Sequence, residues 1–274
     1  MSVDALRHEF REIPFADFSF LLCELWDCPP GDLPFRKALS PAEEEQLRLW
    51  LRRLQQGEPP QYVARKAWFY GLELYVDPRV LIPRFDTEVL VEAVLAMLSP
   101  GDRVLEIGAG SGAIALALKS QCPELSVLAT DIDEGALEVA RINRDKLQLK
   151  VELVHADLFP PEAEPFDLII SNPPYISAEE YHGLAARVKD YEPAIALIAE
   201  NDGLAFYLRI ISRAPRYLRD GGILAFEHGY NQQQALRNLT ESAGFETLQM
   251  GKDLALQDRF LITRLNKSPR GCNG

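Results

Sequence analysis

From about Thr87 onward, short apolar runs alternate with helix-forming segments, and this alternation constrains the fold more than any other feature of the chain. Arg103–Ile107 (RVLEI), Ser126–Thr130 (SVLAT), Val151–His155 (VELVH), Phe166–Ser171 (FDLIIS) and Gly222–Glu227 (GILAFE) have the length and residue types of buried strands. Helical stretches such as Gly112–Ser120, Glu134–Asp145 and Leu204–Arg216 lie between most of them. The pattern predicts an α/β fold, a parallel sheet covered by helices on both faces. The ending differs, because only a loop separates Phe245–Met250 from Arg259–Thr263, which predicts a C-terminal antiparallel β-hairpin. The tail NKSPRGCNG reads as frayed.

The first seventy or so residues lack this alternation and read as helices. Phe15 to Trp26 is apolar with interspersed acids, and CPPGDLPF then breaks the chain. Ser40-Pro41-Ala42-Glu43 is a helix start, with a capping serine, a proline at the first helical position and a glutamate three residues after the cap. Leu47, Leu51 and Leu54 follow at helical spacing, and Gly57 ends the segment. Ala67–Val76 (AWFYGLELYV) is aromatic and β-branched around Gly71 and predicts a hairpin. The chain therefore divides into a small helical domain at 1–65, a linking β-hairpin at 66–80 and a large α/β domain at 81–274.

Charge and cysteine usage narrow the function classes. Lys+Arg 29 against Asp+Glu 41 gives a net charge of -12, which repels phosphate and weighs against direct nucleic-acid binding. No stretch is long and apolar enough for a membrane span, and MSVDALRHEF has no basic segment followed by an apolar core, so a cytoplasmic address is expected. Cys23, Cys28, Cys122 and Cys272 form no Cys-x-x-Cys pair and lie far from the few histidines. Reduced structural thiols are expected, with neither a disulfide framework nor a metal site.

The first strand of the sheet runs into Glu106-Ile107-Gly108-Ala109-Gly110-Ser111-Gly112 and then a helix. Glycines here let the backbone turn tightly and approach a ligand over the helix N-terminus, although a bare strand-to-helix connection has the same look. The spacing Gly-x-Gly-x-Gly suits a dinucleotide pyrophosphate poorly. The next strand ends in Asp131-Ile132-Asp133, where an acid can bind ribose hydroxyls, and the third in Asp157-Leu158, where an acid can accept from an adenine amino group while Leu158 packs on the ring. Together they describe a pocket for an adenosine without phosphates, and a carboxylate at Glu106 suits a positively charged amino group. EIGAGSG, TDID and ADLF resemble the class I S-adenosylmethionine-dependent methyltransferases, and the terminal hairpin fits that family's Rossmann-like sheet of seven strands.

The fourth strand ends in Asn172-Pro173-Pro174-Tyr175. Asn172 offers a side-chain carbonyl and Pro173 a backbone carbonyl without a competing N–H, and two acceptors aimed at one point suit a planar NH2 group. Proline-proline fixes the backbone, and Tyr175 supplies a flat face to cover a planar group. A rigid turn after a strand is the bland reading. Adenine, cytosine, guanine and the amides of Gln and Asn all carry such a group, and the turn does not choose among them.

Four further stretches resemble the HemK/PrmC family, protein-glutamine N5-methyltransferases that modify the glutamine of the Gly-Gly-Gln motif in peptide-chain release factors. They are Gly57-Glu58-Pro59-Pro60-Gln61-Tyr62, Val80-Leu81-Ile82-Pro83-Arg84 with Asp86-Thr87-Glu88, Asn172-Pro173-Pro174-Tyr175-Ile176, and Tyr191-Glu192-Pro193 with Ala196-Leu197. The resemblance covers nearly the whole chain. It implies S-adenosylmethionine contacts from Glu106, Gly108, Ala109, Gly110, Gly112, Asp131, Ile132, Asp157, Leu158 and Asn172. Asn172, Pro173 and Tyr175 become the catalytic group, no metal is implied, and the helical domain is a substrate-binding domain for class 1 release factors. Phe85 replaces the proline usual between Arg84 and Asp86. Asp86 and Thr87 read either as functional or as a plain helix cap. AEND before Gly203 and EHG at 227–229 also depart from the family, and neither is expected to touch the clamp. Competing readings are methylation of a nucleobase amino group in RNA or DNA, methylation of a ribosomal-protein glutamine, and a binding module without chemistry.

Overall fold

A computed structural model describes residues 2–35 and 38–266. Its N-terminal part is helical: α1 (Val3–Glu9), α2 (Phe15–Trp26), a short 3-10 turn over Pro30–Phe35, α3 (Pro41–Gln55) and α4 (Pro60–Ala64). Helix α3 starts as the sequence predicts, with the Ser40 hydroxyl accepting from the Glu43 N–H and the Glu43 carboxylate accepting from the Ser40 N–H. Leu47, Leu51 and Leu54 face inward onto Leu21, Leu22 and Phe18 of α2, forming a core separate from those of the sheet. Cys272 and most of the C-terminal tail lie outside the described residues, and Cys23, Cys28 and Cys122 are free thiols.

Strands β1 (Ala67–Phe69) and β2 (Leu72–Leu74) form the linking hairpin. Tyr70 and Gly71 turn it with φ of 48° and 77°, the positive pair that matches the twist of a tight hairpin. Then come α5 (Phe85–Leu95), β3 (Arg103–Ile107), α6 (Ala113–Gln121), β4 (Ser126–Asp131), α7 (Glu134–Leu147), β5 (Val151–His155) and β6 (Phe166–Ser171). The chain ends through α8 (Ala178–His182), α9 (Ala186–Lys189), α10 (Ala205–Tyr217), β7 (Leu218–Glu227), α11 (Gln233–Ser242), β8 (Phe245–Lys252) and β9 (Asp258–Leu265).

Seven strands form one sheet in the order β5-β4-β3-β6-β7-β9-β8. The first five pair in parallel, and β9 is antiparallel to both β7 and β8, so the hairpin closes one edge. Side chains alternate across the sheet as a period of two requires. Val104, Leu168, Ile170 and Ala225 join one core, and Leu105, Ile107, Ile169, Leu224 and Phe226 join the other. Both faces of the central strands β3 and β6 are buried, which is why they read as largely apolar runs. Strand β7 begins four residues earlier than its apolar run suggests, because Leu218-Arg219-Asp220-Gly221-Gly222 pairs irregularly opposite Phe166–Leu168. The chain goes from β3 outward to β4 and β5, then returns to β6 on the other side of β3. That reversal opens a crevice at the carboxyl ends of β3, β4 and β6.

Candidate active site

The crevice holds a cavity of about 300 Å³. Its floor is the loop after β3. Gly108 turns with φ 82°, and the N–H groups of Gly108 and Ala109 both donate to the Thr130 carbonyl, at 2.8 and 2.9 Å. Gly112 has φ 80°, and a Cβ there would sit 3.1 Å from the Leu116 side chain and 3.4 Å from that of Ala140. It therefore serves the packing of α6 and α7, and it is the one predicted cofactor residue that does not line the cavity.

Glu106 lies beneath the loop, 1% exposed, with Oε2 accepting from the Ala115 N–H at 2.8 Å. Burial raises its pKa well above the ordinary carboxylate range, and a cation beside it would favour the ionised form. Asp131 ends β4 and accepts from Gly110 N–H at 2.8 Å and Asp133 N–H at 2.9 Å, tying the acid to the loop. Burial raises its pKa too, against those backbone bonds. Thr130 braces the same corner, its hydroxyl 2.6 Å from the Leu158 carbonyl. Asp157 faces the cavity, but its Oδ2 already accepts from Arg209 of α10 at 2.5 Å. An adenine amino group would have to share this carboxylate with the guanidinium.

The turn after β6 stands next to the loop after β3 and completes the wall. The Ser171 hydroxyl donates to the Ile107 carbonyl at 2.7 Å, fixing the strand end beside the loop. Asn172 and Pro173 then line the cavity, and Asn172 Nδ2 donates to Thr87 Oγ1 at 3.4 Å. Tyr175 departs from expectation. It is absent from the cavity wall; its hydroxyl donates to Glu227 Oε1 at 3.5 Å, and its carbonyl accepts from Gln232 Nε2 at 3.0 Å. Its ring packs with the core formed by α10 and β7 and braces the turn there.

Two other expectations are corrected. Helix α5 is capped by the backbone of Arg84 without any side-chain cap, so Asp86 and Thr87 are not caps, and Thr87 instead reaches Asn172. The EHG stretch does touch the turn, through Glu227 and the Tyr175 hydroxyl, and Gly203, which follows AEND, leaves no room for a Cβ beside the Tyr175 carbonyl.

Sequence reasoning missed Asn143, fully buried on α7. Its Oδ1 accepts from Tyr75 N–H at 2.6 Å, and its Nδ2 donates to the carbonyls of Tyr75 and Ser111, both at 2.9 Å. One carboxamide thus joins the linking segment to the glycine loop. Asn143→Ala leaves three backbone groups unpaired, one of them buried, and is expected to cost about 2–3 kcal/mol, read as a lower urea midpoint with an unchanged slope.

Comparison with known proteins fits this arrangement. The family model described as methyltransferase small domain matches residues 84–188, and that of the PrmC N-terminal domain matches residues 3–64. The release factor glutamine methyltransferase of Enterococcus faecalis is 40% identical over 248 residues, covering 89% of this chain and 90% of that protein. This chain belongs to the release factor glutamine methyltransferase family. The relative of that name from Clostridium acetobutylicum is 41% identical, covering 74% of each chain. A methyltransferase crystal structure from Pyrococcus furiosus shares the fold, with a TM-score of 0.57 at 20% identity over 78% of this chain and 97% of that one.

The stretches that resemble release factor glutamine methyltransferases meet in space. Arg84 pairs with Glu192 at 2.6 Å, and the other oxygen of Glu192 accepts from Ile82 N–H at 3.2 Å. The Tyr62 hydroxyl donates to the Val80 carbonyl at 2.5 Å, and the Tyr191 hydroxyl to the Gln56 carbonyl at 2.7 Å. GEPPQY, LIPR and YEP are therefore one clasp, which joins the helical part to the cavity wall. Phe85 stands 66% exposed at the start of α5. Among the described residues no cluster of His, Cys, Asp or Glu could hold a metal ion, and no helix is long and apolar enough to cross a membrane.

Proposed function

We propose that this protein transfers a methyl group from S-adenosylmethionine to the side-chain amide nitrogen of the glutamine in the Gly-Gly-Gln motif of class 1 peptide-chain release factors. The observation that carries the reading is that the Asn172-Pro173 turn and the Gly108–Ser111 loop with Asp131 open onto one cavity. The residues fit the cofactor. Glu106 is a buried carboxyl with a raised pKa, and a cationic amino group beside it would favour its ionised form. Asp131 suits ribose hydroxyls, and Ile132, Asp157 and Leu158 form the adenine end.

S-adenosylmethionine supplies an electrophilic methyl group when bound. The protein's part is to prepare a poor nucleophile. An amide nitrogen is unreactive because its lone pair is delocalised into the carbonyl. Asn172 Oδ1 and the Pro173 carbonyl accept the two N–H hydrogens, which holds the NH2 group in place and favours a localised lone pair. The nitrogen becomes acidic once alkylated and loses a proton late, so a strong general base is not required.

The helical part, residues 1–65, is the release-factor-binding domain in this reading, 66–80 the link and 81–274 the catalytic domain. Family membership and the net charge of -12 favour a protein substrate over RNA or DNA. The test is mass analysis of a release factor after incubation with methyl-labelled S-adenosylmethionine, with a Gly-Gly-Ala version as control. One methyl group on the glutamine and none on the control is expected. Label in ribosomal protein or RNA, with the factor unlabelled, would overturn the substrate.

A further inference from the structure

Behind the Asn172-Pro173 turn, at the end of β7, lies a carboxyl group that no step above uses. Glu227 is 1% exposed. Its Oε1 accepts from Tyr175, and its Oε2 has no hydrogen-bond partner among the described residues. A buried acceptor left unpaired is costly. Beside the carboxyl lies the Thr87 hydroxyl, which favours its ionised form. Thr87 Oγ1 is also the atom that receives Asn172 Nδ2 at 3.4 Å. Asn172, Thr87 and Glu227 thus form one row, drawn from β6, α5 and β7.

A carboxamide has an accepting end and a donating end of nearly the same shape. The clamp works only if Asn172 turns Oδ1 toward the substrate NH2, because the flipped carboxamide sets donor against donor. Thr87 by itself does not choose between the two. A hydroxyl both donates and accepts, so it would satisfy a flipped Asn172 by donating to Oδ1. An ionised carboxylate only accepts. Turned toward the unpaired Oε2 of an ionised Glu227, the Thr87 hydroxyl would leave only lone pairs for Asn172, which would then have to offer Nδ2. We propose that Glu227 is a positioning residue that acts through Thr87 to set the flip of the Asn172 carboxamide, so that its oxygen meets the substrate amide. The inference rests on the clamp assignment made under the proposed function.

Protonated Glu227 can donate as well as accept, and the selection is then lost. Burial pushes its pKa up to about 7, with Asp86 adding to the rise and Thr87, Arg259 and Tyr175 opposing it. The other groups facing it hold their charge near neutrality. Burial raises the phenols of Tyr175 and Tyr207, burial lowers His228, and Arg259 is paired with Asp253 at 2.7 Å. Transfer should therefore rise with pH as Glu227 ionises.

The experiment measures methyl transfer to a Gly-Gly-Gln release factor from about pH 5.5 to about pH 9, using the full chain and its Glu227→Gln, Thr87→Val and Thr87→Ser variants. Glu227→Gln is expected to lower kcat about tenfold to a hundredfold and to abolish the acid limb. KM for the factor and Kd for S-adenosylmethionine should change less than about threefold. Thr87→Val should lose as much, the double variant no more than either single one, and Thr87→Ser should recover most of the rate. The Asn172 side-chain amide resonances should titrate near neutrality in the unmodified protein and not in Glu227→Gln. A Glu227→Gln enzyme with unchanged kcat and pH profile, or losses that add in the double variant, would overturn the proposal. If the unmodified protein leaves the glutamine unmethylated, the functional reading fails, and the Asn172 titration alone still decides the positioning role.

Discussion

Asn172→Ala is expected to lower methyl transfer to the release-factor glutamine about 10²- to 10³-fold, with S-adenosylmethionine affinity changed less than about tenfold. The asymmetry follows from where the side chain stands. Asn172 lines the cavity at the end of β6, and its Nδ2 is engaged by Thr87 and not by the loop or acids assigned to the cofactor. Alanine removes one of two acceptors for the substrate NH2 and leaves the Pro173 carbonyl in place. The loss should appear in kcat at saturating factor, because the acceptors matter most as the nitrogen lone pair localises. Single-turnover kinetics with calorimetry of cofactor binding separates the two quantities. Unchanged turnover would remove Asn172 from the chemistry, and equal loss of turnover and cofactor affinity would make it a cofactor ligand.

Local features were legible in the sequence, and contacts across long separations were not. Ser40 and Glu43 cap α3 as expected because a capping box closes within one turn. The central strands were readable because burial on both faces keeps them largely apolar. Topology then delivered the glycine loop, Asp131, Asp157 and Asn172 to one end of the sheet. Thr87 meets Asn172 across 85 positions, and Asn143 meets Tyr75 across 68, so no local pattern marks either pair. The GEPPQY stretch is similar, since its tyrosine is spent on the Val80 carbonyl. Tyr175 sits differently from its expected place for a related reason. An aromatic beside a clamp looks like a cover, but Glu227 and Gln232, more than fifty positions away, hold it as a support. Only Glu227 carried a usable signal, an acid at the end of an apolar strand next to the switch point.

Gly203 provides the second large effect. Its φ is +83°, and a Cβ would fall 2.1 Å from the Tyr175 carbonyl oxygen and 2.4 Å from Gln232 Nε2. Gly221 serves as the comparison, with φ +76° and nothing within 4 Å. The two share a backbone conformation and differ in what lies beside it. Gly221→Ala should cost only the left-handed penalty, about 1–2 kcal/mol, with transfer per folded molecule unchanged. Gly203→Ala adds a clash with a backbone atom that cannot rotate away, and it disturbs the bond from Gln232 to Tyr175. A total of about 3–5 kcal/mol is expected. Relief of this clash shifts the Asn172–Tyr175 turn, whose Tyr175 carbonyl is the atom in the way. A displacement near 1 Å in such a clamp costs about a hundredfold in rate, so the folded fraction of Gly203→Ala should transfer methyl groups far more slowly than that of Gly221→Ala. Urea unfolding and transfer rates normalised to folded protein measure the two terms. Equal stability and equal turnover in the two variants would mean that Gly203 does not brace the turn.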